Sequence, residues 1–196
     1  MHLKLLEQLT EALTILPGVG KRTAERMSYY LLQRRSGGIK LANALTEAMN
    51  KITRCKKCRD YSENELCPIC LNPKRCQEQL CIVETPLDIY TIEKTGTYFG
   101  LYFNLMGHLS PLDGIGPKSL GIDCLKQLLA KDKLQEVIIA TSTTLEGEAT
   151  ASYLVDLIKS YGIKCTRIAQ GIPAGGELEF VSLNTIAQAI ISRIPC

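Results

Sequence analysis

Residues 55–70 read CKKCRDYSENELCPIC: two CxxC pairs separated by eight residues. Two tight knuckles at this spacing can deliver Cys55, Cys58, Cys67 and Cys70 to one tetrahedral ion, the donor set of a structural zinc site. The intervening RDYSENEL is too polar and too short to fold by burial, so the metal takes the place of a hydrophobic core and the segment is expected to be disordered without it. Four thiolates leave no coordination position for water. One Zn²⁺ per chain is therefore expected to hold structure and not to catalyse. The remaining cysteines, at 76, 81, 124, 165 and 196, show no such spacing and read as ordinary reduced thiols, with Cys76 a spare.

At 196 residues and 21.7 kDa the chain can bury one moderate core plus a small module. Nine cysteines occur without a signal peptide, and MHLKLLEQLTEAL is an amphipathic helix and not an apolar leader. With no run of eighteen apolar residues, the expectation is a cytoplasmic protein that does not span a membrane. The net charge of +3 hides an asymmetry. Residues 1–54 carry nine Lys/Arg against four Asp/Glu, and residues 81–196 carry nine against twelve. A polyanion would meet the N-terminal part first, although charge alone does not separate such a site from a solvated basic surface.

Within that basic part, Leu5, Leu9, Leu13 and Leu16 recur at helical spacing, and Pro17 is expected to end the helix. LPGVG follows, then a second helix over KRTAERMSYYLLQR with Ala24, Met27 and Leu31 as its inward face. Two helices joined by a PGVG turn make a helix-hairpin-helix, which points backbone N–H groups and a helix N-terminus at a phosphate. Lys21 and Arg22 lie in the first turn of the second helix, and Arg26 one turn beyond Arg22 on the same side. Cations there oppose the helix dipole, so a phosphate would complete the site. Such contacts read backbone and not bases, which predicts DNA binding without sequence preference. RRSGG is expected to break the pattern before a third helix through Ile39, Leu41, Leu45, Ala48, Met49 and Ile52, the three helices sharing one small core.

From residue 80 the pattern is that of an α/β unit. LCIVE reads as a buried strand, PLDIYTIEKTG as a helix, and GLYFNLMG as a strand with Leu101, Phe103 and Leu105 alternating against polar or smaller residues. HLSPLDGIGPKSLG is a long loop in which Asp113 is a turn former. Helix DCLKQLLAKD, strand EVIIATS, a long helix in TLEGEATASYLVDLIKSYG, a fourth parallel strand at IKCTRI, turn-rich GIPAGGELE and a last helix near NTIAQAIISRI complete the chain. Glu84 ends the first strand, Asp88 starts the next helix, and Glu146 and Glu148 follow EVIIATS. Sites in open α/β sheets lie at the carboxyl ends of strands, so these acids could converge on Mg²⁺ or on a basic partner. An acid at a helix start can equally be a cap. His2 and His108 form no metal centre or triad, and GVGK at 18–21 lacks the length and the preceding strand of a Walker A loop.

The ordered motifs LPGVGKRTAER, CKKC and CPIC, CIVETPLDIYTIEKTG, LMGHLSPLDGIGP, IIATSTTLEGEATASYL and TRIAQGIPAGGELE together resemble the RecR family of bacterial recombination mediators over essentially the whole chain. The resemblance implies an α+β multi-module chain. A helix-hairpin-helix DNA-binding head spans 1–53, a four-cysteine zinc finger 54–76, an α/β Toprim domain with a central parallel sheet 79–174, and a C-terminal tail and helix 175–196. It also implies a non-enzymatic role in recombinational DNA repair with RecO and RecF, helping RecA load on gapped DNA coated by single-strand-binding protein. A homotetrameric ring able to encircle double-stranded DNA, in the cytoplasm at the nucleoid, belongs to the same implication. Carried over residue by residue, Lys21, Arg22 and Arg26 are the hairpin's basic positions, Cys55, Cys58, Cys67 and Cys70 the zinc ligands, and Glu84 the Toprim glutamate. Toprim enzymes that cut DNA carry DxD where this chain has Glu146-Gly147-Glu148. The competing reading, a Mg²⁺-dependent Toprim nuclease or a topoisomerase- or primase-like enzyme, is disfavoured by that departure, and any Mg²⁺ binding is expected to be weak. The C-terminal SRIPC is less basic than the tail usual for the family.

Overall fold

The computed structural model describes residues 3–131 and 133–192; His2, Asp132, Cys196 and all of the SRIPC tail beyond Ser192 lie outside the described residues. The chain divides between Ile52 and Thr53 into two compact units. Among the described residues no helix is long and apolar enough to cross a membrane.

The first unit consists of α1 (Lys4–Leu13), α2 (Lys21–Gln33) and α3 (Arg35–Lys51). Helix α1 stops at Leu13, so Leu16 belongs to the turn and not to the helical stripe. Gly18 sits at φ +78°, a left-handed conformation that a Cβ would strain, and this lets the chain reverse between Pro17 and Gly20. The inward face of α2 differs from the expected one. Ala24 and Ser28 are fully buried, whereas Met27 is 38% exposed. A small hydroxyl residue lets α1 approach closely, and Ser28 Oγ lies 3.0 Å from the buried Thr10 Oγ1 of α1. The break expected at RRSGG is confined to Arg34, with φ −114° and ψ 61°; Gly37 and Gly38 lie inside α3. Nor does α3 share a core with the other two helices. It has no buried residue, and Leu41, Leu45 and Met49 are all exposed.

The second unit opens with the hairpin β1 (Thr53–Arg54) and β2 (Tyr61–Ser62), followed by the single turn α4 (Pro68–Leu71). The α/β part then runs β3 (Gln79–Val83), α5 (Pro86–Thr95), β4 (Leu101–Asn104), α6 (Ile122–Leu129), β5 (Glu136–Ala140), α7 (Leu145–Lys159), β6 (Lys164–Arg167) and α8 (Leu183–Ile191). The four long strands are all parallel, in the order β4-β3-β5-β6. Alternation along β3 sends Leu80 and Ile82 into a core with Phe103, Val137, Ile139 and the inner faces of α6 and α7, and Cys81 and Val83 into a second core with Tyr102 and Ile89 of α5. Both faces of the sheet are thus covered, as parallel sheets require. For the same reason β4 is buried throughout, Tyr102 and Asn104 included, and not on alternate residues only.

Local signals set the helix ends. Thr85 and Asp88 form a reciprocal capping box around Pro86, and Gly96 closes α5 in the left-handed conformation. Asp113 is a turn residue, accepting the Ser110 hydroxyl at 2.6 Å. The linker after the cysteines is tied down by Arg75, whose side chain is only 8% exposed. Its guanidinium donates to Tyr98 O at 3.1 Å and Gly100 O at 3.4 Å, pairs with Glu93 and lies over the Tyr102 ring. Arg75→Met would take a donor from two carbonyls and leave the Glu93 carboxylate only the Tyr102 hydroxyl, and is expected to cost about 3 kcal/mol. Urea unfolding measures this, and a loss below about 0.5 kcal/mol would show that the pairing is ornamental.

Candidate metal and nucleic-acid sites

The four sulfurs of Cys55, Cys58, Cys67 and Cys70 lie within 4.8 Å of one another, and among the described residues they form the one group of three or more metal-ligating side chains so placed. Sulfurs on a tetrahedral zinc are about 3.8 Å apart, given zinc–sulfur bonds of about 2.3 Å. Cys58 Sγ and Cys67 Sγ are at 3.5 Å. The backbone builds this convergence: Arg59 N–H returns to Cys55 O at 2.9 Å in the first knuckle and Leu71 N–H to Cys67 O at 3.0 Å in the second, while Cys67 N–H points at Cys55 Sγ at 3.3 Å. The thiol proton of Cys58, then that of Cys70, holds the Cys67 thiol well below the usual range, and the same contact with Cys67 pushes Cys58 up. Protons can stabilise one thiolate in this way but not four. A cation in their place ionises the whole set, so the donors fit Zn²⁺.

The knuckle is also the finger's attachment to the sheet. Arg59 adopts φ +65°, uncommon for a residue with a Cβ. In that conformation its guanidinium donates to Leu120 O and to Ser119 O at 3.2 Å, and it stacks over Phe103 with 5.8 Å to the ring centroid. Asn104 N–H of edge strand β4 donates to Cys58 O at 2.8 Å, so the finger continues the ladder. Sequence reasoning passed over Arg59, since nothing in its spacing separates it from Lys56 and Lys57.

In the first unit, Lys21, Arg22 and Arg26 are all exposed, and none forms an ion pair with a described residue. Helix α2 starts at Gly20 with no side-chain cap and no acid in its first turn. Its first N–H groups and two cations therefore face the same solvent, the electrostatic arrangement of an anion site.

The strand order changes direction between β3 and β5, and Glu84 stands at the carboxyl end of β3 beside that switch point. It is 7% exposed and accepts the Ser142 hydroxyl at 3.2 Å. The other three acids have separate surroundings. Asp88 caps α5 by accepting Thr85 N–H at 2.7 Å, and Glu146 is exposed in the first turn of α7. Glu148 receives two bonds of 2.6 Å from Arg167, which hold its carboxyl below the usual range. Among the described residues the four acids do not form a group of three or more placed to hold one ion. Gly147 between the two glutamates has a packing reason, since a Cβ there would lie 2.2 Å from Ser142 O.

Three family models match in the order in which these sites occur. One described as RecR, helix-hairpin-helix covers residues 6–49, and one described as the RecR four-cysteine zinc finger domain covers residues 52–72. A Toprim domain model covers residues 78–169. The chain belongs to the RecR family. RecR proteins are non-catalytic, act in DNA repair and recombination, and combine the three modules that the fold displays. Cys67→Ser is expected to abolish stoichiometric zinc and to destabilise the second unit, because without the metal the Cys55–Cys58 knuckle that positions Arg59 loses its anchor. Metal analysis of protein purified without chelator, with thermal unfolding of the variant, is the check; zinc-free wild type of full stability would refute it.

Proposed function

We propose that this protein is a non-enzymatic DNA-binding recombination mediator, acting with RecO and RecF to help RecA load onto gapped DNA. The observation that carries the proposal is the uncapped start of α2, which presents backbone N–H groups with Lys21 and Arg22, and Arg26 one turn on, inside a RecR helix-hairpin-helix. These groups suit phosphates of double-stranded and gapped DNA, and phosphate contacts carry no base information, so the affinity is electrostatic and insensitive to sequence. Lys21→Glu with Arg22→Glu is expected to abolish most binding at low salt and, where binding persists, to lower the slope of log affinity against log salt by about two. Anisotropy on gapped duplexes across a salt series measures both. Unchanged low-salt affinity would sink the hairpin reading.

The reading extends to assembly and partners. Four chains in a ring, at the nucleoid in the cytoplasm, would cover apolar residues of α3 such as Leu45 and Met49 that a lone chain leaves in water. The modules at 1–53, 54–76 and 79–174 and the tail at 175–196 would divide the work between DNA, structure and assembly. Glu84, Asp88, Glu146 and Glu148 would serve as an acidic contact surface for RecO, or as a weak and non-catalytic Mg²⁺ site. With Glu148 committed to Arg167 and Asp88 to a helix cap, only Glu84 and Glu146 are left, too few to form the carboxylate set that holds metal for strand scission. Mass measurement on gapped DNA with RecO present should count four chains, and Glu84→Gln with Glu146→Gln should reduce RecO retention while leaving binding by the chain alone unchanged. A count of one or two chains, or full RecO retention by the variant, would contradict this part.

A further inference from the structure

At the amino ends of β3 and β4, away from the acids, the second unit carries a groove of about 510 Å³ that neither the DNA site nor the zinc site uses. Its floor is apolar. Leu80, Leu101 and Tyr102 belong to the buried sheet, and Leu128 and Leu134 are only partly covered. Lys57, Lys131 and Lys133 line it as well. A second hollow of about 260 Å³ shares Lys57, Leu128 and Lys131 with it and adds Lys56. No carboxylate is among the described residues that line either one.

The charges here are only partly matched. Lys56 pairs with Glu65 and Lys57 donates to Gln77 at 3.1 Å, but Lys131 and Lys133 have no ion pair with a described residue. They are gathered in a segment, residues 81–196, that is acidic as a whole. Partly exposed leucines and a cationic rim together define what fits: one or two large apolar side chains on Leu128 and Leu134, with carboxylates on the same short segment meeting the lysines. DNA fits less well. Phosphates need no leucine floor, and the one aromatic ring in the groove, Tyr102, is 1% exposed and offers no face for a base to stack on.

We propose that this groove is a docking site for an acidic peptide segment of another protein, bearing a large apolar side chain between carboxylates. The groove shares no residue with the helix-hairpin-helix, and within the second unit it lies at the end of the sheet opposite the acidic surface assigned to RecO, so it serves a second protein. It stands or falls independently of the mediator reading.

The test is fluorescence anisotropy on the full chain with zinc bound, using a labelled peptide in which two Asp flank each side of a Phe-Leu pair. Saturable binding is expected, weakened by salt and reduced about tenfold or more by Lys131→Glu with Lys133→Glu, two exposed substitutions that leave the core intact. Lys21→Glu with Arg22→Glu should leave the peptide affinity unchanged, which separates failure here from failure of the DNA reading. A peptide with Ser-Ser in place of Phe-Leu should bind at least tenfold more weakly; equal binding would reduce the groove to a nonspecific cationic patch and overturn the proposal. So would absence of saturation up to about 1 mM. Competition by oligothymidylate that disappears in the Lys131/Lys133 variant, at peptide affinities no better than the oligonucleotide's, would reassign the groove to nucleic acid. The chain's own Glu177-Leu178-Glu179-Phe180 is an exposed segment of the same chemistry. Self-association that is lost in both Phe180→Ser and the lysine variant, with no binding of the added peptide to monomers, would reassign it to a second copy.

Discussion

Four sulfurs within 4.8 Å can all be thiolates only with a cation among them, and much of the second unit is arranged around that requirement. The knuckle that gathers Cys55 and Cys58 forces the next residue, Arg59, to a positive φ. The strain is offset where the guanidinium lands, on the carbonyls of Ser119 and Leu120 and the ring of Phe103. A short polar loop with no core of its own thereby fixes the turn that leads into α6. The same knuckle gives Cys58 O to the last N–H of β4. Metal, finger and sheet edge are coupled through one residue's backbone and side chain.

The α/β part follows from a different constraint. A parallel sheet must be covered on both sides, and the chain meets this by placing α5 on one face and α6 and α7 on the other. The strand order puts the switch point between β3 and β5, where a ligand site is expected in such folds. What occupies that point is one buried glutamate bonded to a serine, while Glu148 on α7 is turned to Arg167. The carboxylate shell that a metal-dependent nuclease needs is therefore dispersed, with Glu148 neutralised by the arginine that ends β6.

The parts legible in the sequence were those with a strict spacing or a strong local rule: the CxxC pairs, the PGVG turn, the helix over PLDIYTIEKTG with Asp88 at its start, and the apolar runs of β3 and β5. What escaped depends on tertiary neighbours. Ser28 is buried because Thr10 stands opposite, and a periodicity of apolar residues selects Met27 in its place. Gly37 and Gly38 read as a break, yet α3 needs only one irregular residue, Arg34, to begin anew. The fixed arginines, 59, 75 and 167, look like surface charge in one dimension. Their roles come from carbonyls and carboxylates 18 to 61 residues away along the chain. The acids were placed correctly at strand ends, but capping and ion pairing, both local alternatives to a shared ion, prevailed at Asp88 and Glu148.

The basic turn and the exposed face of α3 bear on each other under the proposed function. Three cations on one helix neutralise only a few phosphates, and such contacts weaken steeply with salt, so a single head would hold DNA poorly in physiological ionic strength. Several heads tied into one assembly convert later contacts into intramolecular ones, and avidity then grows without new chemistry at any site. In such an assembly the apolar residues that α3 leaves in water would be covered by neighbouring chains. Closure also supplies what the contacts lack, since a ring around a duplex is retained by topology where phosphate contacts alone would let it go. On this reading the sequence-blind chemistry of Lys21, Arg22 and Arg26 suits a clamp that has to move along DNA, and specificity for a gap has to come from the proteins it meets there.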